Sequence, residues 1–261
     1  ITMAYNTEPD GADMNTNNRL DFGFKTPTTV TINNVTLAEG TGAGPTAFNF
    51  TVTRSDDDEA FSLTVNTAGG TATSGTDFTA ISGGTVSFAA NDNNTTATVT
   101  VDVAHDNIVE NNETFTVNLS GAPAGVVITD GTGDGTINND DAATVTLSGN
   151  ASQAEGDAGT TTYQVTMMLD NPVQGGFSVT GDLASGTATL GTDFSGPDAT
   201  FTFAGNAGET KTMSQTIFGD LTVELNETFT IDLINLTGVP AGVTVGPQFT
   251  GTITNDDQAV A

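Results

Sequence analysis

Apolar residues along this chain recur at every second position over short stretches, and the positions between them are Thr, Ser, Asn or Asp. Phe48-Asn-Phe50-Thr-Val52, Phe61-Ser-Leu63-Thr-Val65, Val99-Thr-Val101-Asp-Val103 and Phe115-Thr-Val117-Asn-Leu119 all follow it, as do Tyr163-Gln-Val165, Phe201-Thr-Phe203 and Phe229-Thr-Ile231-Asp-Leu233. Period two predicts strands with one face in a core and the other in water. Turn clusters separate them, among them Ala68-Gly69-Gly70, Gly83-Gly84 and Asn91-Asp92-Asn93-Asn94. No segment carries a helical period. Thr supplies 51 of the 261 residues, which suits the half-exposed face of a sheet.

The pattern occurs twice. Ala38-Glu39-Gly40 returns as Ala154-Glu155-Gly156, and Gly70-Thr-Ala-Thr-Ser-Gly-Thr-Asp77-Phe78 as Gly186-Thr-Ala-Thr-Leu-Gly-Thr-Asp193-Phe194. Asp106-Asn-Ile-Val-Glu110-Asn-Asn-Glu113-Thr-Phe115 returns as Asp220-Leu-Thr-Val-Glu224-Leu-Asn-Glu227-Thr-Phe229. Gly135-Thr-Ile-Asn-Asn-Asp140-Asp141 returns as Gly251-Thr-Ile-Thr-Asn-Asp256-Asp257. The offset is 116 residues, or 114 in the third block, so the chain is a tandem repeat. Unit one spans residues 28–141 and unit two 142–261. With about seven strands each, both predict an all-β fold: immunoglobulin-like Greek-key sandwiches arranged end to end. Only Ala142-Ala143 separates Asp141 from the next strand pattern, which predicts little independent swing between units.

Residues 1–27 fall outside the repeat. Ile1-Thr-Met3-Ala-Tyr5 and Leu20-Asp-Phe22-Gly-Phe24 read as the tail of a preceding segment or a hairpin on unit one, or else as an arm that adds a strand to a neighbouring subunit. Asp10, Asp13 and Asn15 lack EF-hand spacing and read as loop. The opening at Ile1, with no signal peptide visible, reads as a processed product or a fragment.

Charge narrows the function classes. Four Lys+Arg stand against 32 Asp+Glu, for a net charge of −28. Such a field repels phosphate backbones and anionic membranes, arguing against nucleic-acid binding and membrane docking, and no apolar run reaches the length of a membrane helix. Divalent cations are the natural counter-charge. The absence of Cys removes disulfides, zinc–thiolate sites and Cys nucleophiles. Enzyme readings find little: His105 is the lone His, there is no Trp, and only Tyr5 and Tyr163 supply phenols. A carboxylate pair for glycoside hydrolysis would lack a sugar-stacking platform. The Asn112-Glu-Thr sequon reflects composition. The expectation is a protein that is not an enzyme.

Calcium takes six to eight oxygens at roughly 2.3–2.6 Å, several from carboxylates. In a Greek-key sandwich the strand-end loops meet at a pole, where acids distant in sequence converge. Unit one offers Glu39, Asp77, Asp106, Glu110, Asp140 and Asp141; unit two offers Glu155, Asp193, Asp220, Glu224, Asp256 and Asp257. Glu113 and Glu227 are expected to bond backbone amides instead of metal. Asp130-Gly131-Thr-Gly133-Asp134-Gly135 reads as a hairpin turn.

The four matched blocks together resemble the Calx-beta repeat, known from sodium–calcium exchangers, integrin beta-4 and many large bacterial surface proteins. The resemblance covers about residues 28–141 and 142–257 and implies a sandwich that binds calcium at one end. It also implies that the twelve acids named above sit at family ligand positions. Two departures bear on affinity. High-affinity members carry a further acid where this chain has His105 and Gly219, and their terminal run of three Asp is here Asn139-Asp140-Asp141 and Asn255-Asp256-Asp257. Fewer carboxylates predict one or two ions per unit, with affinities of roughly 10⁻⁴–10⁻³ M as in extracellular modules. The expected role is a calcium-stiffened structural module of a bacterial adhesin, matrix protein or surface filament, outside the cell, its partners calcium ions and neighbouring copies or repeats. The alternatives are a calcium-sensing regulatory domain and a carbohydrate- or protein-binding adhesive tip. For the tip, the asymmetric feature is Met167-Met168 and Asp170-Asn-Pro172 in unit two against Arg54-Ser-Asp56-Asp57-Asp58-Glu59 in unit one.

Overall fold

The computed structural model describes residues 26–259. Residues 1–25, which hold both alternating stretches of the N-terminal arm or tail together with Asp10, Asp13 and Asn15, lie outside the described residues. Among the described residues all regular structure is β-strand.

Unit one contains β1 (Thr28–Ile32), β2 (Val35–Ala38), β3 (Thr46–Arg54), β4 (Phe61–Gly69), β5 (Gly84–Phe88), β6 (Thr96–Val103), β7 (Glu113–Ser120), β8 (Val126–Asp130) and β9 (Thr132–Asn138). They form one sheet in the order β6-β3-β1-β8 and a second in the order β2-β9-β7-β4-β5. Unit two repeats the plan with β10 (Ala143–Gly149), β11 (Ser152–Ala154), β12 (Gly159–Leu169), β13 (Phe177–Ser185), β14 (Phe194–Ser195), β15 (Ala199–Phe203), β16 (Thr210–Gly219), β17 (Glu227–Thr237), β18 (Val243–Val245) and β19 (Phe249–Thr254). Its sheets run β14-β16-β12-β10-β18 and β11-β19-β17-β13-β15.

Alternation sets the faces. Phe48, Phe50 and Val52 are buried while Asn49 and Thr51 are exposed. On the wet faces, hydroxyls pair across strands, as with Thr180 and Thr200 at 2.9 Å and Ser62 and Ser87 at 2.8 Å. Each core is built on a stacked pair. Phe78 lies on Phe115 with centroids 4.7 Å apart, and Phe194 on Phe229 at 5.1 Å. Gly135 and Gly251 are required beneath them: a Cβ at either would stand 2.4 Å from the ring of Phe115 or Phe229.

Both outer strands of a unit cross between its sheets. β1 pairs in parallel with β8 in one sheet, and β2 with β9 in the other. The stretch around Gly131 is therefore a crossover and not the expected hairpin turn. A single residue between β8 and β9 cannot reverse the chain, but it does let one strand step to the facing sheet. In unit two β10–β18 and β11–β19 repeat the parallel pairings.

The chain thus enters each unit at an upstream pole and leaves at a downstream pole. The two units meet where the downstream pole of the first abuts the upstream pole of the second. Val109, in the β6–β7 loop of unit one, is fully buried within the core cluster of unit two. Its N–H donates to the carbonyl of Pro172 at 2.9 Å, and the N–H of Gln174 donates back to the Val109 carbonyl at 3.0 Å, making a parallel bridge with Val173. Asn139 donates its side-chain amide to the carbonyls of Asp141 at 3.1 Å and Ala241 at 3.3 Å. The β12–β13 asymmetry offered for an adhesive tip, Asp170-Asn-Pro172, belongs to this joint, and Met167 is a core residue.

Candidate metal centre

The downstream pole of each unit gathers acids from four connections. Asp77 sits in a turn between β4 and β5, where its carboxylate accepts the N–H of Thr73 and the stacked Phe78 fixes it to the core. Asp106 caps the loop after β6 by accepting the N–H of Ile108 at 2.7 Å. Glu110 follows Val109; its own N–H donates to the Asn139 side chain at 3.0 Å. Asp140 accepts the N–H of Gly40, next to Glu39, at 3.1 Å. Unit two repeats these bonds through Asp193 to Thr189, Asp220 to Thr222, Glu224 to Asn255 and Asp256 to Gly156. A hydrogen-bonded frame is thus built twice with the same residue types.

Carboxylate oxygens of Glu39, Asp140 and Asp141 lie within 4.8 Å of one another, as do those of Asp77, Glu110 and Glu113, and in unit two those of Asp193, Glu224 and Glu227. Asp106 stands close enough for its charge to act on members of both groups in unit one. In unit two, Glu155 feels Glu224, Asp220, Asp257 and Asp256. All twelve acids singled out in the sequence are thus brought to the two poles.

Glu113 and Glu227 correct the sequence reading. In place of backbone amides their carboxylates meet those of Asp77 and Asp193 respectively, and each completes a carboxylate triad. The available signal was the strand period: Glu113 lies two residues before Phe115, hence on the same face of β7, beside the Asp77–Phe78 turn.

Crowding and burial push these acids toward the neutral form. For Glu39, burial first and then the charges of Asp106, Glu110, Asp141 and Asp140 raise the pKa to about 8. Glu110 reaches about 7 through burial and then Asp106, Asp77 and Asp141. Glu113 reaches about 7 through burial, then the hydrogen bond and charge of Asp77. Glu155 also reaches about 7, by burial and then Glu224, Asp220, Asp257 and Asp256. Asp141, Glu227 and Asp257 are raised as well, with burial the leading cause in each.

No Lys or Arg answers this charge among the described residues. Arg54 is buried at the upstream pole, bonded to Asp92 at 2.8 Å and lying over the Phe88 ring, while Lys211 pairs with Glu209 at 2.9 Å. Buried oxygens of Glu39, Asp141 and Asp257 have no hydrogen-bond partner, a costly state for an acceptor. His105 turns Nε2 to the Thr46 hydroxyl at 2.8 Å, and that hydroxyl in turn donates to the Glu39 carbonyl. An all-oxygen, sulfur-free donor set at partly buried loops fits a hard divalent cation. Glu110 has a second role: it accepts the side-chain amide of Gln174 of unit two at 3.0 Å, so one residue belongs both to the acidic cluster and to the joint.

Among curated proteins none matches this chain in sequence. Among solved structures, it is similar to CBD12 from CALX1.2, at 18% identity over 87% of this chain and 99% of that one with a TM-score of 0.41. It is similar to the calcium binding domain CBD12 of CALX1.1, at 18% identity over 86% and 99% with a TM-score of 0.41. The apo-form Calx CBD1 domain is similar at 25% identity over 44% of this chain and 99% of that one, with a TM-score of 0.39. The Calx-beta domain model matches residues 25–141 and again 138–258. The repeated sandwich and its twice-built acidic pole therefore belong to the Calx-beta family, present here as two domains in tandem.

Proposed function

We propose that this chain is a non-enzymatic calcium-binding structural module, in which ions at the downstream poles stiffen the run of sandwiches. The observation that carries this reading is the pair of carboxylate groups at the downstream pole of unit one, with buried, unpartnered oxygens on Glu39 and Asp141. Ca²⁺ would be held by Glu39, Asp140 and Asp141, by Asp77, Glu110 and Glu113, and by Asp106 between them; in unit two by Glu155, Asp193, Asp220, Glu224, Glu227, Asp256 and Asp257. The ion supplies the counter-charge that the protein lacks there. Loops that repel one another when bare would then be clamped together, and Glu110 would carry that order to Gln174. The module would serve in a bacterial adhesin, matrix protein or surface filament outside the cell.

A sensing role is the second reading, favoured by the same bond: ion loading at Glu110 bears on a residue that touches unit two. Affinity separates the two, since structural extracellular sites bind at roughly 10⁻⁴–10⁻³ M and sensors at roughly 10⁻⁷–10⁻⁵ M.

The test is unfolding calorimetry in calcium and in chelator, with solution scattering on the same samples and a calcium titration. A site filled at 100 times its Kd adds about 2.7 kcal/mol, so a clear rise in melting temperature with a narrower distribution of shapes is expected. Equal stability and shape in both buffers would sink the proposal.

A further inference from the structure

The downstream pole of unit two carries the parts with which unit one grips its neighbour. Val223 stands where unit one has Val109, in a loop held by the same bonds: Glu224 N–H to Asn255 at 3.1 Å and Asn255 N–H to Asn226 at 3.2 Å, against Glu110 N–H to Asn139 at 3.0 Å and Asn139 N–H to Asn112 at 3.2 Å. Asn255, like Asn139, turns its side-chain amide to the carbonyl two residues on, at 3.2 Å. Yet Val109 is 0% exposed and Val223 is 52% exposed, flanked by Leu221 at 75% and Leu225 at 86%. Unit one has Asn107 and Asn111 in those flanking places, so the unburied copy is the more apolar of the two.

We propose that the Leu221–Val223–Leu225 loop is a docking surface for the upstream pole of a further sandwich, one carrying a small apolar residue and a side-chain amide where unit two carries Val173 and Gln174. The occupant's chemistry follows from the joint inside this chain. The apolar residue covers the valine, its backbone forms the parallel bridge, and the amide meets the glutamate, Glu224 here and Glu110 in unit one. Unit one of a second copy does not qualify. Its β3–β4 loop reads Asp56-Asp57-Asp58-Glu59 and carries neither the apolar residue nor the side-chain amide that the joint uses. This inference extends past the calcium reading and does not depend on it.

The probe is a three-unit chain: residues 1–257 followed directly by a second copy of 142–259, which recreates the Asp-Asp-Ala-Ala junction. Amide hydrogen exchange is followed at Val223 in the two-unit and three-unit chains, each in calcium and in chelator. The expected result is exchange slowed by about tenfold or more at Val223 in the three-unit chain, approaching that of Val109. Val223→Asp in the long chain, or Val173→Asp in its added copy, should abolish the effect. Val223 is exposed in the two-unit protein, so its variant should leave both original units folded. Protection in either buffer supports the docking surface. Equal exchange in both chains, or protection that survives both variants, overturns it. Val223-dependent dimers of the two-unit chain would overturn the choice of occupant.

Discussion

Phe78 lies flat on Phe115, centroids 4.7 Å apart and planes 17° from parallel. Asp77 precedes the first ring and Glu113 stands two residues before the second. A core contact therefore sets the spacing of two carboxylates in the candidate site. Truncating Phe115 to Ala should destabilise unit one by about 3–5 kcal/mol, read by urea unfolding. The milder Phe78→Leu should leave the fold standing and lower the calcium affinity of unit one, read by titration calorimetry, with unit two unaffected.

Glu39 links stability to pH. Its pKa is about 8 in the folded chain against an ordinary 4.5, so the folded state holds the proton more tightly than the unfolded state does. Its contribution to stability is complete below about 4.5 and is lost as pH rises through about 8. Glu110, Glu113 and Glu155 act in the same direction, around 7. In chelator, the urea midpoint should therefore fall as the pH is raised across this range. Glu39→Gln should flatten the slope while weakening the response to calcium.

Val109 couples the two units. Val109→Ser places a hydroxyl among the apolar residues of the unit-two core, at a cost of about 1–3 kcal/mol. Unit two should then melt at a lower temperature and separately from unit one. Scanning calorimetry would show one transition becoming two; a single unchanged transition would contradict the joint as described.

Gln174 tests the bond from joint to cluster. Gln174→Ala frees the Glu110 carboxylate from its cross-unit donor without touching an acid. The expected outcome is a broader distribution of inter-unit angles by solution scattering in chelator, and a smaller broadening in calcium.

Much of this was legible in the chain. Period-two stretches such as Phe48–Val52 became strands with the expected faces, and the repeated Gly-Thr-Asp-Phe and Glu-Thr-Phe blocks became the two halves of one stacked pair. The crossover at Gly131 was misread because Gly and Asp are also what a tight turn requires; the shortness of the link carried the information. Glu113 was misread because composition alone does not say which way the first residue of a strand faces. The joint was beyond alternation altogether. Val109 lies in a loop, and an apolar loop residue declares no partner until the facing surface is known.

The parallel pairing of β1 with β8 and of β2 with β9 has a mechanical consequence. The strands through which a sandwich is tethered at its two ends lie side by side and run the same way. Tension applied along the chain slides them lengthwise, so the backbone bonds between them must fail together and cannot be peeled off one by one as in a hairpin. Single-molecule extension of the chain should accordingly record abrupt, high-force rupture of each sandwich. Val109, seated in the neighbouring core, would hand the load from the first sandwich to the second.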